Sequence, residues 1–152
     1  MDTEKLNFKI GLSGTGSATS CAFQILINDK VYIEEQTKPE TTVYEFDCDI
    51  SDGEHYLKIR LLDKDNNKVI KDSQGNLIED FLLNIDSVEI DDIDIGALKW
   101  THSSYFPEYP ENYSDEEQKA IVEVKNCVTM GWNGIWQIAF TSPFYVWLLE
   151  NL

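Results

Sequence analysis

Oxygen ligands suited to a hard cation are concentrated in one stretch of this sequence. Residues 63–80, which read DKDNNKVIKDSQGNLIED, contain five carboxylates among eighteen residues. Calcium binds roughly six to eight oxygens and takes them from Asp, Asn and backbone carbonyls. Patterns typical of β-strands flank the stretch on both sides. It is therefore either a calcium-binding loop or a long solvated hairpin.

The stretch does not have the spacing of an EF-hand. Counted from Asp63, the pattern Asp-x-Asp-x-Asn is present, but Lys68 stands at the sixth position, where Gly is required. Gln74 stands at the twelfth position, where the EF-hand has a bidentate Glu. Because EF-hand loops also lie between helices, a metal site here must be of another kind.

No arrangement of residues for catalysis is visible. His55 and His102 are far apart, and neither accompanies a nucleophile pattern. We expect His55, at the start of a strand, to be a surface imidazole. The Gly-rich residues 11–20 lack the Gly-Lys-Ser/Thr ending of a phosphate-binding loop and predict a turn or close backbone packing. We therefore expect no catalytic residues and a protein that is not an enzyme.

Charge limits the partners that this protein can bind. Acidic residues outnumber basic ones 28 to 12, and the net charge is −16. Such a field repels phosphate backbones and anionic lipid, because binding them requires clustered Lys and Arg. We expect neither nucleic acid nor membranes as partners.

The three cysteines predict thiols in a reducing compartment. Cys21, Cys48 and Cys127 are odd in number and show no Cys-x-x-Cys spacing. Cys21 and Cys48 lie in strand-like segments, where a buried thiol is usual. The first residues also lack the basic start and apolar run of a secretory signal. We expect a protein made in a cytosol without a signal peptide.

Alternating apolar and polar residues predict antiparallel strands from the N-terminus to Gly96. In residues 56–61, one face carries Tyr56, Lys58 and Arg60, and the other carries Leu57, Ile59 and Leu61. A later strand, within residues 81–96, has an irregularity near Asp86 and Ser87. Six or more such strands, with turns between them, predict an all-β, antiparallel, jelly-roll-like β-sandwich.

The composition changes after Gly96. Residues 97–152 are predicted to form an extension of loop, helix and strands. We expect this extension to pack on the sandwich of residues 1–96 within one domain. Residues 114–128 predict the helix, with Ser114 as N-cap and Glu117 completing a capping box. Its apolar stripe consists of Ala120, Ile121, Val124 and Val128.

The end of the chain is rich in aromatic residues. Trp132, Trp136, Phe144, Tyr145 and Trp147 lie within a short span. An apolar segment of this kind is not left in water, because an exposed patch invites association. These residues either complete the core or form an interface with another subunit or protein.

Two segments resemble the signature of calcium-dependent xylan-binding modules, a family of carbohydrate-binding β-sandwiches. The first, DGEHYLKIRLLD, matches at Asp52, Gly53, His55, Leu57, Ile59 and Asp63. The second, EDFLLNIDSVEIDD, matches at Asp80, Leu83, Asp86, Val88, Ile90 and Asp91. The resemblance spans about residues 8 to 96 and implies that residues 1–96 are a carbohydrate-binding-module-like sandwich.

The same resemblance implies a metal site. In the family, two aspartates flanking the ligand loop bind calcium together with backbone carbonyls, and the ion binds sugar hydroxyls. Carried over by position, the ligands are Asp63 and Asp80, with Asp65, Asp72 and Glu79 as weaker candidates. This chain departs from the pattern at Leu62, where the family has Asn, and in the loop, which lacks the family's Trp.

The whole chain, including the ending PFYVWLLENL, also resembles small proteins encoded by tailed phages of marine cyanobacteria. This resemblance implies a virion or tail accessory protein that is assembled in a host cytoplasm. Two functions follow. In one, a structural protein contacts other virion proteins or its own copies through the C-terminal aromatics. In the other, a calcium-dependent module binds a host-surface polysaccharide.

Overall fold

A computed structural model describes residues 3–15, 20–62, 82–108 and 122–151, together with the backbone alone of residues 70–71 and 77–79. The strands and helices in this part of the chain are β1 (Thr3–Thr15), β2 (Ala22–Ile27), β3 (Lys30–Gln36), β4 (Thr42–Ser51), β5 (Gly53–Leu61), β6 (Ile70–Lys71), β7 (Leu77–Glu79), β8 (Leu82–Ile90), β9 (Ile93–Asp94), α1 (Leu98–Thr101), β10 (Ser103–Pro107), β11 (Val124–Lys125), β12 (Thr129–Met130), β13 (Gly134–Ser142) and α2 (Phe144–Asn151).

The strands form two antiparallel sheets that pack face to face. In the first sheet the order is β12, β8, β1, β4, with β9 paired to β8. The second sheet has the order β11, β10, β13, β5, β2, β3. A separate short hairpin joins β6 and β7. The predicted all-β sandwich is confirmed.

The core lies between the two sheets and is built by strict alternation. On β5 the side chains of Leu57, Ile59 and Leu61 are buried, whereas those of Lys58 and Arg60 lie on the opposite face. The predicted faces of this strand are confirmed. Because side chains on a strand alternate between the two faces of the sheet, one buried row per strand is enough to fill the sandwich.

The irregularity predicted near Asp86 is a β-bulge. Gly11 of β1 pairs with Ser87, but the next residue, Leu12, pairs with Ile85, so Asp86 is an extra residue in β8. A bulge of one residue resets the alternation and keeps both Ile85 and Val88 in the core. The carboxylate of Asp86 lies outside and accepts a hydrogen bond from Thr41 Oγ1 at 2.9 Å.

The helix predicted over residues 114–128 is wrong at its C-terminal end. Val124 and Lys125 form strand β11, which pairs with Tyr105 and Ser104 of β10. Asn126 then takes a left-handed φ of 58°, which ends the strand. Residues 114–121 lie outside the described part of the chain.

The C-terminal residues 144–151 form a helix that the sequence pattern did not predict. Phe144, Trp147 and Leu148 of α2 are buried against the end of the sandwich, and the Trp147 ring lies 6.4 Å from that of Phe140. Neither helix in the described part of the chain is long and apolar enough to span a bilayer.

Strands from both sides of residue 96 are present in each sheet. In the second sheet, β13 lies between β10 and β5, and in the first sheet β12 pairs with β8. The boundary expected at residue 96 stays a prediction. The pairing shows that residues 134–142 form an interior strand of the second sheet.

Candidate functional site

The carboxylate-rich segment connects the two sheets at one end of the sandwich. Leu61, the last residue of β5, pairs with Phe23 of β2 in the second sheet. Leu82, the first residue of β8, pairs with Thr15 of β1 in the first sheet. The segment between them therefore links the second sheet to the first, and the connection from β1 to β2 links the same two sheets.

The candidate calcium ligands lie almost entirely outside the described residues. Asp63, Asp65, Asp72 and Asp80 are not described, and Glu79 is described by its backbone alone, in β7, where it pairs with Ile70. What the structure gives is the position of their anchors. Asp63 follows β5 after one residue, and Asp80 precedes β8 by two residues.

The described anchor residues are held firmly. The N–H of Leu62 donates to the carbonyl of Ala22 at 3.0 Å, which extends the pairing of β5 with β2 to the residue before Asp63. On the first sheet, Asn84 Nδ2 donates to Thr15 Oγ1 at 2.6 Å and to Ser13 Oγ at 3.3 Å. Both ends of the segment therefore start from ordered strands.

The chemistry of the segment fits calcium. Its side chains include five carboxylates and three asparagines, Asn66, Asn67 and Asn76, all of which offer the hard oxygen ligands that calcium takes. Elsewhere the described residues offer no such set, since no three side chains of His, Cys, Asp or Glu come together in the described ranges.

His55 is buried, so the expectation of a surface imidazole is wrong. Its ring lies at the corner where the chain passes from β4 in the first sheet to β5 in the second, and Gly53 turns this corner with a left-handed φ of 112°. The ring nitrogen Nε2 lies 2.6 Å from the carbonyl of Ser51, and Nδ1 lies 3.0 Å from Asn28 Nδ2.

The hydrogen bonds of Asn28 define the role of His55. Asn28 Oδ1 accepts the N–H of Tyr56 at 3.0 Å, so the amide nitrogen of Asn28 must face His55. The imidazole therefore accepts at Nδ1 and donates from Nε2 to Ser51. With both nitrogens engaged in this way, His55 holds the corner together.

The other described residues of the signature also have structural positions. Leu57, Ile59, Leu83, Val88 and Ile90 belong to the core. Asp91 takes a left-handed φ of 52°, and its Oδ1 accepts the N–H of Asn7 at 2.7 Å. In the described part of the chain, the signature therefore specifies the sandwich and its corners.

The five aromatic interface candidates occupy different environments. Trp136, Phe144 and Trp147 are buried within the chain, and Trp136 Nε1 donates to the carbonyl of Cys127 at 2.6 Å. Trp132 is partly buried, and its backbone N–H donates to Tyr105 Oη at 3.0 Å. Tyr145 is 49% exposed. We expected these residues either to complete the core or to form an interface. Three of them complete the core, and Tyr145 is exposed on the surface.

Tyr145 belongs to an exposed apolar face of α2. Val146 is 51% exposed and Leu149 is 75% exposed, and helical spacing places all three residues on one side. Tyr145 Oη lies 3.4 Å from Asp91 Oδ2, and burial together with that carboxylate raises the pKa of Tyr145. This face exists because α2 is a helix, which the sequence pattern did not predict.

Comparison with known proteins identifies the fold. No family model matches the chain, and no curated protein matches its sequence. Among solved structures, the chain is similar to the selenomethionine form of vCBM60, from work on circular permutation as a link between two families of calcium-dependent carbohydrate-binding modules. The TM-score is 0.56 at 8% sequence identity, and the match covers 88% of this chain and 89% of that one.

A second structure, vCBM60 in complex with galactobiose, gives a TM-score of 0.50 at 10% identity and covers 89% of this chain and 97% of that one. At such low identity the likeness concerns the fold alone. The chain therefore has the β-sandwich fold of these carbohydrate-binding modules.

Proposed function

We propose that this protein is a non-catalytic carbohydrate-binding module whose binding of glycans depends on calcium. The observation that supports the proposal best is the shared sandwich fold with vCBM60 over 88% of the chain. The carboxylate-rich segment links Leu61 at the end of β5 in one sheet to Leu82 at the start of β8 in the other. A glycan of a host-cell surface is the proposed ligand.

In this proposal Asp63 and Asp80 hold the ion, and Asp65, Asp72 and Glu79 are further candidate ligands. Bound calcium would coordinate neighbouring hydroxyl groups of a sugar. The protein's own part is to neutralise the ion with carboxylates and to keep the two ends of the segment on ordered strands, so that less conformational freedom is lost on binding.

Calcium titration tests the proposal. If calcium binds the folded protein alone, a concentration of about 100 times Kd should raise the melting temperature by about 5 to 10 °C. Asp63→Ala and Asp80→Ala should each abolish the rise. Asp49→Ala is a matched control, since Asp49 is an exposed carboxylate on β4, away from the segment.

Sugar binding is then measured with galactobiose and xylo-oligosaccharides, in calcium and in EDTA. Binding that requires calcium and disappears in Asp63→Ala supports the proposal. A melting curve that calcium leaves unchanged, or sugar binding that survives EDTA in full, contradicts the calcium site.

We propose as a second candidate that the protein is a virion accessory protein, assembled in a host cytoplasm, which docks on other virion proteins or on its own copies. The exposed face of α2, consisting of Tyr145, Val146 and Leu149, favours this function, because adjacent apolar side chains on a surface helix mark contact sites.

The test uses the double variant Val146→Lys/Leu149→Lys. We expect it to keep the melting temperature of the natural protein and to lose association in sedimentation at high protein concentration, or binding to co-expressed virion proteins. Val43→Lys is the control, since Val43 is 58% exposed on β4. Association that the double variant retains rules out α2 as the contact.

A further inference from the structure

The outer face of the second sheet carries two cations side by side. Lys58 and Arg60 are two residues apart on β5, so their backbone positions lie about 6.6 Å apart along the strand. Arg60 is the single arginine of the sequence. Since β5 lies between β13 and β2, both cations stand in the interior of the sheet face.

The cross-strand neighbours of the two cations are amides and apolar side chains. Lys58 pairs with Gln137 on one side and Leu26 on the other, and Arg60 pairs with Ile135 and Gln24. None of the four neighbours is buried, so all of them border the outer surface. We call these six residues the cationic stripe: Gln24, Leu26, Lys58, Arg60, Ile135 and Gln137.

The carboxylates near the stripe hold the two cations only loosely. Lys58 Nζ lies 3.4 Å from Asp29 Oδ1, and the Asp29 side chain is fully exposed. Arg60 Nη2 lies 3.8 Å from Glu108 Oε2, and both side chains are partly exposed. Surface pairs of this kind contribute little to stability. A carboxylate from a ligand can therefore replace them without disturbing the fold.

We propose that the cationic stripe binds an acidic polysaccharide, one whose sugars carry carboxylates. The guanidinium of Arg60 suits a carboxylate because it can donate two parallel hydrogen bonds to it. Gln24 Nε2 donates to Glu34 Oε2 at 2.9 Å, so Gln24 offers its Oε1 to a sugar hydroxyl. Gln137 can also bond sugar hydroxyls, and Leu26 and Ile135 can contact the apolar faces of the rings. The inference rests on the proposed function in so far as the sandwich binds carbohydrate, but it uses a surface separate from residues 63–80.

The small number of cations in the stripe favours a short acidic glycan over a nucleic acid. A nucleic acid carries closely spaced phosphates, and its binding needs many clustered cations to displace counterions. This chain has a net charge of −16 and presents two cations in the stripe. A glycan with carboxylates between neutral hydroxyl groups matches two cations flanked by amides.

Calorimetric titration with tetragalacturonate, in EDTA and at low salt, tests the proposal. EDTA removes calcium, so residues 63–80 cannot contribute through a metal. We expect Lys58→Gln/Arg60→Gln to weaken tetragalacturonate binding by about tenfold or more. The variant loses charge-assisted hydrogen bonds to the ligand's carboxylates, and these are stronger than hydrogen bonds between neutral groups. Lys5→Gln/Lys9→Gln, on the outer face of the first sheet, changes the net charge equally and should bind like the natural protein.

Three further measurements make the result specific. Galactotetraose, which lacks the carboxylates, should bind at least about tenfold more weakly than tetragalacturonate. Raising the salt from about 20 mM to about 500 mM should weaken tetragalacturonate binding, an effect that does not depend on any variant's folding. Asp63→Ala should leave this binding unchanged.

Equal affinity of Lys58→Gln/Arg60→Gln and the natural protein overturns the proposal, as does an absence of tetragalacturonate binding. Binding of a single-stranded DNA tetranucleotide with the same affinity would assign the stripe to polyanions in general and would also overturn it. Loss of calcium-dependent sugar binding alone contradicts the proposed function and leaves the stripe intact, so the two failures are distinguishable.

Discussion

At the scale of single residues, the signature that suggested a calcium site has mostly structural roles. His55, Gly53 and Asp91 fix corners of the sandwich, and Asp86 is the extra residue of a bulge. A sequence comparison shows only that these residues match the signature. It does not distinguish a residue that closes a corner from one that binds a ligand, so the match predicts the fold well and the site less directly.

Tyr32 and Cys48 provide a pH-dependent contribution to stability. Tyr32 Oη lies 3.0 Å from Cys48 Sγ, and the Tyr32 ring stacks on Phe46. The hydrogen bond with Cys48, followed by burial, raises the pKa of Tyr32 from 10.0 to about 12. The folded state favours the protonated phenol. The contribution of Tyr32 to the free energy of unfolding is therefore complete below pH 10.0 and is lost as the pH rises through about 12.

We therefore expect the free energy of unfolding to fall more steeply between pH 10.0 and about 12 in the natural protein than in Tyr32→Phe. Urea unfolding at a series of alkaline pH values measures this difference. Cys48→Ala should move the tyrosinate absorbance of Tyr32 to lower pH, since it removes the main cause of the shift. Parallel stability curves for the natural protein and Tyr32→Phe would contradict the assignment.

At the scale of elements, strands could be predicted wherever one face is buried. The alternation in β5 and the shift in β8 are both present in the sequence, because each strand places every second side chain in the core. The position of β13 could not be predicted in the same way. Its pattern indicates a strand, but the pairing with β5 depends on contacts between residues about 80 positions apart.

The two errors at the C-terminal side have separate physical causes. Val124 lies in a stretch with helical spacing, but it is β-branched, and the edge of β10 offers backbone hydrogen bonds that local pattern does not reveal. The segment of α2 is an apolar run in which helix and strand have the same appearance. Pro143, directly before Phe144, was the available signal, since proline is common in the first turn of a helix.

The candidate calcium site stays a prediction, because its ligands lie outside the described residues. The carboxylates are present in the sequence, and the strand pairing adds that the flanking residues Leu61 and Leu82 lie in different sheets. The cationic stripe could not be predicted, although the alternation of Lys58 and Arg60 was visible. Their neighbours Gln24 and Gln137 come from two other strands, and only the sheet order brings them together.

At the scale of the whole molecule, the two ends of the described chain close the same end of the sandwich. Glu4 of β1 accepts hydrogen bonds from the hydroxyl of Ser142 and, at 2.8 Å, from the N–H of Phe144. The carboxylate thus lies at the N-terminus of α2, where negative charge is favourable. α2 covers the end of the core, and the hydrogen bonds of Glu4 connect its first residue to strand β1.

Removal of residues 143–152 should therefore unfold the protein. Phe144 is fully buried, and Trp147 and Leu148 are 6% and 7% exposed. Truncating one buried Phe or Trp to Ala loses about 3 to 5 kcal/mol. The free energy of unfolding of a domain is only about 5 to 15 kcal/mol. Losing all three buried side chains therefore removes an amount comparable to the whole stability of the domain. Circular dichroism and urea unfolding of the truncated chain measure the loss.

The variant Val146→Lys/Leu149→Lys is the control for this experiment, because it changes the exposed face of α2 and leaves the buried face in place. We expect it to unfold at the same urea concentration as the natural protein, while the truncated chain has little cooperative unfolding. A truncated chain that unfolds like the natural protein would show that α2 is dispensable for the core, and its aromatic residues would then be free to serve a partner.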